Sequence, residues 1–164
     1  MSDGANQSAG STPAVASRMW RRYFRIQYRI IRLMDPLVRT WLAMGLPGLD
    51  GVVRMTTVGR RSGRDRSLHI TLLHVDGGWY LGHPNGHTGW TRNAETAGSI
   101  RIDPAPGVAG GREFPVVLLP NGPERSAVIA ATRTQQPFPG NVIYRAAARH
   151  IEAVGVYFRV ERGA

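Results

Sequence analysis

Residues 56–66 read T-T-V-G-R-R-S-G-R-D-R and place two glycines and four arginines within eleven positions. Apolar, β-branched runs at 51–58 and 66–75 flank this stretch and predict two strands. The stretch between them is therefore predicted to be a glycine-hinged turn. Unobstructed backbone N–H groups surrounded by guanidinium groups suit a phosphate or a carboxylate. A solvated basic hairpin turn is the alternative interpretation.

Downstream of this turn, short strand patterns alternate with turns and a few helical segments. Asp76-Gly77-Gly78 predicts a hairpin turn that leads into a strand at 79–81. Further strands are predicted at 99–103, 113–119 and 154–160, and helices at 91–98, 122–132 and 142–151. Several antiparallel strands with interposed helices predict an α+β fold built around a small β-barrel, with residues 45–164 as its domain.

The segment 18–44 is predicted to be helical, and residues 1–17, which are small and polar, are predicted to be a disordered tail. Asp35-Pro36 signals the start of a second helix within the segment. At about 100° per residue, an apolar stripe and an arginine face lie on opposite sides of the first helix. The stripe contains Trp20, Phe24, Gln27, Ile31 and Met34, with Tyr23 and Ile30 flanking it, and the other face contains Arg18, Arg22, Arg25, Arg29 and Arg32.

Two interpretations of this amphipathic helix follow. In the first, the apolar stripe packs on the core and the arginines face water. In the second, the helix lies on an anionic membrane surface, where arginines meet lipid headgroups and aromatic rings lie at the boundary. No stretch approaches the roughly 20 apolar residues that span a bilayer.

Composition favours acidic partners and excludes several chemistries. The 164 residues carry a net charge of +10, and all 21 basic residues are arginine, which forms bidentate contacts with anions. Cysteine is absent, which excludes disulfides, thiolate catalysis and cysteine-bound metals and is compatible with a cytoplasmic location.

Hydrolytic, metal-dependent and nucleic-acid functions find little support in the motifs. His83 and His87 are four residues apart, but Pro84 and Gly86 prevent the helix that would let them share an ion, so no metal site is expected. There is no G-x-S-x-G serine elbow, and the 11 carboxylates are sparse. No RNP, KH or helix-turn-helix pattern is present.

Three patches together resemble the deazaflavin (coenzyme F420)-dependent nitroreductase family of the flavin/deazaflavin split-barrel superfamily. Residues 56–66 are similar to the family pattern T-T-x-G-[RK]-[RK]-S-G-x-x-R. The strand and loop at 79–86, W-Y-L-G-H-P-N-G, form the second patch. Trp90-Thr91-Arg92-Asn93 with the strand at 99–102 forms the third, and the resemblance covers roughly residues 45–160.

The resemblance implies a mainly antiparallel split β-barrel of the FMN-binding type, preceded by an amphipathic helix, and a cytoplasmic F420-dependent oxidoreductase. Hydride transfer would run from the reduced deazaflavin to a quinone-like or nitroaromatic acceptor, with the protein positioning the cofactor. It also suggests a homodimer. The cofactor's polyanionic tail or phosphate would be held by Thr57, Gly59, Arg60, Arg61, Ser62, Gly63 and Arg66. The deazaflavin ring would be lined by His83, Pro84, Asn85 and Gly86 and enclosed by Trp90, Arg92 and Asn93.

This sequence departs from the family pattern around the ring. His87-Thr88-Gly89 replaces a common H-P-A, and the C-terminal motif is matched only loosely by residues 144–154, where Tyr144 is the candidate substrate contact. FMN is a less favoured cofactor. A non-catalytic split-barrel protein that binds a fatty acid or another apolar ligand, or a relative that binds flavin or haem, is the alternative function.

Overall fold

The computed structural model describes residues 16–44, 48–49, 51–104 and 112–161. All but the last two residues of the tail predicted at 1–17, and most of the loop predicted at 104–111, lie outside the described residues. The described helices are α1 (Arg18–Leu33), α2 (Asp35–Ala43), α3 (Gly89–Ala97), α4 (Pro123–Gln135), α5 (Gly140–Ala146) and α6 (Ala148–Val154). The described strands are β1 (Val52–Val58), β2 (Asp65–Thr71), β3 (Leu73–Val75), β4 (Gly78–His83), β5 (Ser99–Ile102), β6 (Arg112–Leu118) and β7 (Val156–Val160).

The strands form one antiparallel sheet in the order β2-β1-β5-β6-β7-β4-β3. β2 and β3 occupy opposite edges of this sheet, yet only Leu72 separates them along the chain. Two edges joined through one residue must lie close together, so the sheet has to curl into a barrel. The predicted α+β class and the mainly antiparallel barrel are confirmed.

The predicted elements are present, most with ends shifted by one to three residues. The strand predicted at 66–75 is interrupted at Leu72, whose N–H donates to the carbonyl of Gly51 at 2.8 Å. The helix predicted at 142–151 is two short helices separated at Ala147, and the helix predicted from residue 91 begins at Gly89. The hairpin between β3 and β4 has positive φ at both central residues, 48° at Asp76 and 76° at Gly77, as a two-residue hairpin turn requires.

Two hydrophobic clusters lie on opposite faces of the curled sheet. Because successive strand residues point to opposite faces, Trp79 and Leu81 enter the barrel interior, whereas Tyr80 between them faces the helices. The interior cluster also contains Trp90 and Ala94 of α3. The outer cluster joins Tyr80 to residues of α1, α4, α5 and α6, namely Phe24, Val128, Ile129, Tyr144 and Ile151.

Helix α1 packs on this outer cluster mainly through Phe24, which is completely buried. The Phe24 ring lies 5.9 Å from that of Tyr144 and 6.0 Å from that of His150, centroid to centroid. Under the first interpretation of this helix Ile31 and Met34 would be buried with the rest of the stripe, but both side chains are exposed.

Candidate functional site

The turn between β1 and β2 is closed by backbone hydrogen bonds centred on Gly59. Its N–H donates to the Arg64 carbonyl at 2.9 Å, and its own carbonyl accepts from Ser62 at 3.1 Å and Gly63 at 2.7 Å. A Cβ atom on Gly59 would lie 2.9 Å from the Ser62 hydroxyl and 3.0 Å from the Arg64 carbonyl oxygen, so this position requires glycine. Gly63 has φ = 63°, in the left-handed region. The sequence therefore folds into a tight turn that exposes its side chains outward.

The arginines of this turn are not neutralised within the described part of the chain. Arg60, Arg61, Arg64 and Arg66 are all exposed, and no described carboxylate lies within ion-pair distance of them. Asp65, the acid of the turn, forms an ion pair with Arg101 on β5 instead. The turn thus keeps an excess of positive charge, which is the electrostatic requirement for an anion site.

Asn93 of α3 joins this turn to the next part of the predicted site. Its side-chain oxygen accepts hydrogen bonds from the Arg60 backbone N–H and from the Arg60 guanidinium, each at 3.3 Å. Its amide nitrogen donates to the hydroxyl of Thr57 at 3.5 Å. Asn93 and Thr57 are both buried, so this contact fixes the turn against the N-terminal half of α3. Arg92 beside Asn93 is exposed.

The loop at residues 83–86 follows β4 and lies beneath α1. His83 and Pro84 are buried. The His83 ring lies 4.3 Å from the ring of Tyr28 on α1 and 6.5 Å from that of Trp90 on α3, centroid to centroid. His83 Nδ1 accepts the N–H of Asn85 at 3.1 Å. Burial lowers the pKa of His83 to about 4, so the ring is neutral at physiological pH.

Asn85 ties this loop to α1 and α6. Its amide nitrogen donates to the carbonyl of Arg21 at 3.1 Å, and its oxygen lies 3.1 Å from His150 Nε2. His150 Nδ1 accepts the N–H of Ser17, so the other ring nitrogen, Nε2, carries the hydrogen that Asn85 accepts. Burial, and secondarily the charge of Arg21, lowers the pKa of His150, which favours this neutral tautomer.

Tyr144, the predicted substrate contact, is buried under α1, where its hydroxyl interacts with that of Tyr28. Burial raises the pKa of both hydroxyls, so both are protonated at neutral pH. Trp90 is also buried, and its indole N–H has no hydrogen-bond acceptor among the described residues. A buried indole N–H usually finds a partner, so this group is an unsatisfied donor within the described residues.

The structure therefore groups the predicted site residues into two sets, which α3 connects. The first set is the turn with Thr57 and Asn93. The second set is the loop 83–86 with Trp90, and Tyr28 connects this loop to Tyr144. Sequence reasoning missed the contacts of Tyr28 and His150. The separation of 65 residues between Asn85 and His150 left no local signal for their contact.

No family model matches the chain, and no curated protein matches its sequence. Among solved structures, an F420-H2-dependent reductase, FDR-A, matches with a TM-score of 0.50 and 18% sequence identity over 68% of this chain and 95% of that one. The fold is that of a split β-barrel. The heme storage protein HutZ from Vibrio cholerae matches with a TM-score of 0.49 and 14% identity over 79% of this chain and 92% of that one. A domain-swapped dimer matches with a TM-score of 0.48 and 18% identity over 68% of this chain and 81% of that one.

Among the described residues, no group of three or more histidine, aspartate or glutamate side chains is arranged to hold a metal ion. No described helix is both long enough and apolar enough to cross a membrane.

Proposed function

We propose that the chain is an F420H2-dependent oxidoreductase that reduces a quinone-like or nitroaromatic acceptor. The observation that carries this proposal is the arginine turn, whose four cationic side chains have no carboxylate partner among the described residues. A long anionic tail with a phosphate and several carboxylates is the kind of ligand that such a turn would bind, because guanidinium groups form bidentate, charge-assisted hydrogen bonds with both. The fold shared with FDR-A is compatible with this assignment.

The residues present fit the tail of the cofactor most directly. Arg60, Arg61 and Arg66 would supply the charge and the donors through their guanidinium groups, because the backbone N–H groups of Arg60, Ser62 and Gly63 already donate to Asn93 and to the Gly59 carbonyl. Asn93 would act as a positioning residue, since it holds Arg60 through both the backbone and the guanidinium.

At the ring end of the site, residues of the chain would bind the ring and exclude water from it. The unpaired indole N–H of Trp90 would donate to a polar atom of the ring, and α1 would shield the loop 83–86 from solvent. When bound, the reduced deazaflavin would supply the hydride. His83 is neutral and would place no charge beside the ring. A small hydrophobic acceptor, a homodimer and a cytoplasmic location are parts of the same proposal.

Fluorescence polarisation of oxidised F420 titrated with the purified full chain tests the proposal. We expect saturable binding, and the double variant Arg60→Ala/Arg61→Ala should weaken it by about tenfold or more at low salt, because each charge-assisted hydrogen bond contributes about 1.5–3 kcal/mol. The loss should shrink as salt screens the contact.

The double variant Arg39→Ala/Arg112→Ala is the matched control. Both side chains are exposed and lie outside the turn, and their removal lowers the net charge by the same amount. Equal weakening in both double variants would assign the effect to overall charge. No binding at tens of micromolar cofactor would refute the proposed function.

A further inference from the structure

Helix α1 has a second apolar face that the barrel does not cover. Met19, Tyr23, Ile26, Ile30 and Leu33 recur at alternating steps of four and three residues, which places them within an arc of about 80° on the helix. All five side chains are exposed, from 39% for Tyr23 to 82% for Leu33. From here on, the apolar stripe means these five exposed residues, and not the stripe through Phe24 that the sequence pattern predicts. The centre of the apolar stripe lies roughly 140° around the helix from Phe24, so it is distinct from the buried face.

The exposed apolar surface extends beyond α1. A groove of about 280 Å³ between α1 and α5 shares Met19 and Tyr23 with the apolar stripe, and its remaining lining is Trp20, Val142, Ile143 and Ala146. Val142 of this groove is itself exposed, so the apolar surface continues from α1 onto α5. A contiguous exposed apolar surface on a folded domain marks an interaction site.

A row of arginines borders this stripe on the side of the helix away from Phe24. Arg18, Arg22, Arg25 and Arg29 lie within about 60° of one another on the helix, and all four are exposed. Residues 16–34 contain no aspartate or glutamate, and none of the four arginines has an ion-pair partner among the described residues. The helix therefore has three faces: one buried by Phe24, one apolar and exposed, and one cationic.

We propose that the apolar stripe and the arginine row form a docking surface for an anionic lipid bilayer. A bilayer interface offers an apolar layer to the stripe and phosphates to the arginines, in the arrangement that an interfacial helix requires. A second copy of the chain fits less well, because pairing through the stripe would gather two sets of four arginines around one contact without a carboxylate from either α1. This surface does not depend on the cofactor site.

Sedimentation of the full chain with two kinds of vesicle tests the proposal. One kind contains phosphatidylcholine alone, and the other contains an equal mixture of phosphatidylcholine and phosphatidylglycerol. We expect binding to the mixed vesicles that weakens with salt and is at least tenfold weaker on the neutral ones. Ile26→Ser/Ile30→Ser and Arg22→Gln/Arg29→Gln should each reduce binding to the mixed vesicles at least tenfold.

Val58→Ser/Val117→Ser is the matched control for the apolar change, because both side chains are exposed on strands. It should bind like the unaltered chain. Equal binding to both vesicles, no binding to either, or unchanged binding by the Ile26→Ser/Ile30→Ser variant would overturn the proposal. A dimer in solution that becomes a monomer in that variant would assign the stripe to a second copy instead.

A positional measurement keeps the test independent of those variants. The chain has no cysteine, so Ile26→Cys creates a unique attachment point for an environment-sensitive fluorophore. Its emission should shift to the blue with mixed vesicles, whereas the same label at Val117→Cys on β6 should not respond. Equal shifts at both positions, or no shift at residue 26, would exclude a contact through the stripe.

Discussion

His83 provides a quantitative test of how α1 and the loop at 83–86 are packed. The side chain is 2% exposed, lies against Tyr28 and uses Nδ1 to accept the N–H of Asn85. Burial lowers its pKa from 6.5 to about 4. The folded chain therefore holds this ring neutral at pH values where the unfolded chain has already protonated it.

The sign and size of the effect follow from proton linkage. The stability that His83 contributes in its neutral form is fully present above pH 6.5 and is lost as the pH falls through the folded pKa, because the unfolded state binds the extra proton. The free energy of unfolding falls by about 1.4 kcal/mol per pH unit between the two pKa values. The loss between pH 6.5 and pH 4 is therefore about 3 kcal/mol.

Urea unfolding from pH 7 to pH 4 measures this loss. His83→Asn keeps a side-chain acceptor but cannot titrate, so its free energy of unfolding should fall by about 3 kcal/mol less than that of the unaltered chain over this range. His74→Asn, which removes an exposed histidine from β3, should follow the unaltered chain. Identical pH profiles for His83→Asn and the unaltered chain would refute the reasoning. If His83→Asn does not fold, NMR titration of the His83 ring in the unaltered chain gives the same answer, and a midpoint near pH 6.5 contradicts the burial.

Two further pairs of substitutions, each a test with its control, examine the turn and the support beneath α6. Gly59→Ala should destabilise the chain by about 1–3 kcal/mol in urea unfolding, because the new Cβ would press on the Arg64 carbonyl. Its control, Gly89→Ala, should change the stability by less than about 1 kcal/mol, because nothing lies within 4 Å of the new Cβ. Equal effects would show that the turn can relax. Arg125→Met should cost about 3 kcal/mol or more, since this buried guanidinium donates to three carbonyls at the end of α6, while Arg159→Met at a half-exposed ion pair should cost less than about 1 kcal/mol.

Local patterns predicted most of the elements but not how they close on one another. The alternation of apolar residues identified β1 and β4, and Asp76-Gly77 identified the hairpin, because side-chain period and turn conformation are properties of a few neighbouring residues. The break at Leu72 has no such signature. It arises because the chain must pass from one edge of the sheet to the other at that point, which depends on the whole strand order.

The candidate site shows the same division between local and distant information. The arginine turn could be recognised from its own residues, since its charge and its glycines are all contained in 56–66. The cover that α1 places over the loop at 83–86 could not, because it depends on contacts between Arg21 and Asn85, and between Ser17 and His150, which are 64 and 133 residues apart. Periodicity placed Tyr23 and Ile30 beside a single apolar stripe of α1 and did not separate them into a second face, since the buried and the exposed apolar residues of this helix merge in a two-sided pattern.

The position of α1 has a thermodynamic consequence for both proposed binding events. One side of the helix is hydrogen-bonded to the loop through the Arg21 carbonyl, and another side carries the exposed apolar stripe. If a lipid surface favours one placement of α1, and that placement changes how tightly the loop holds a ligand, the two affinities must change by the same factor in each direction. Ligand affinity can be measured with and without vesicles, and vesicle binding with and without ligand. The two experiments should therefore give the same coupling constant. A ratio that differs between the two measurements would mean that the helix is not the element the two events share.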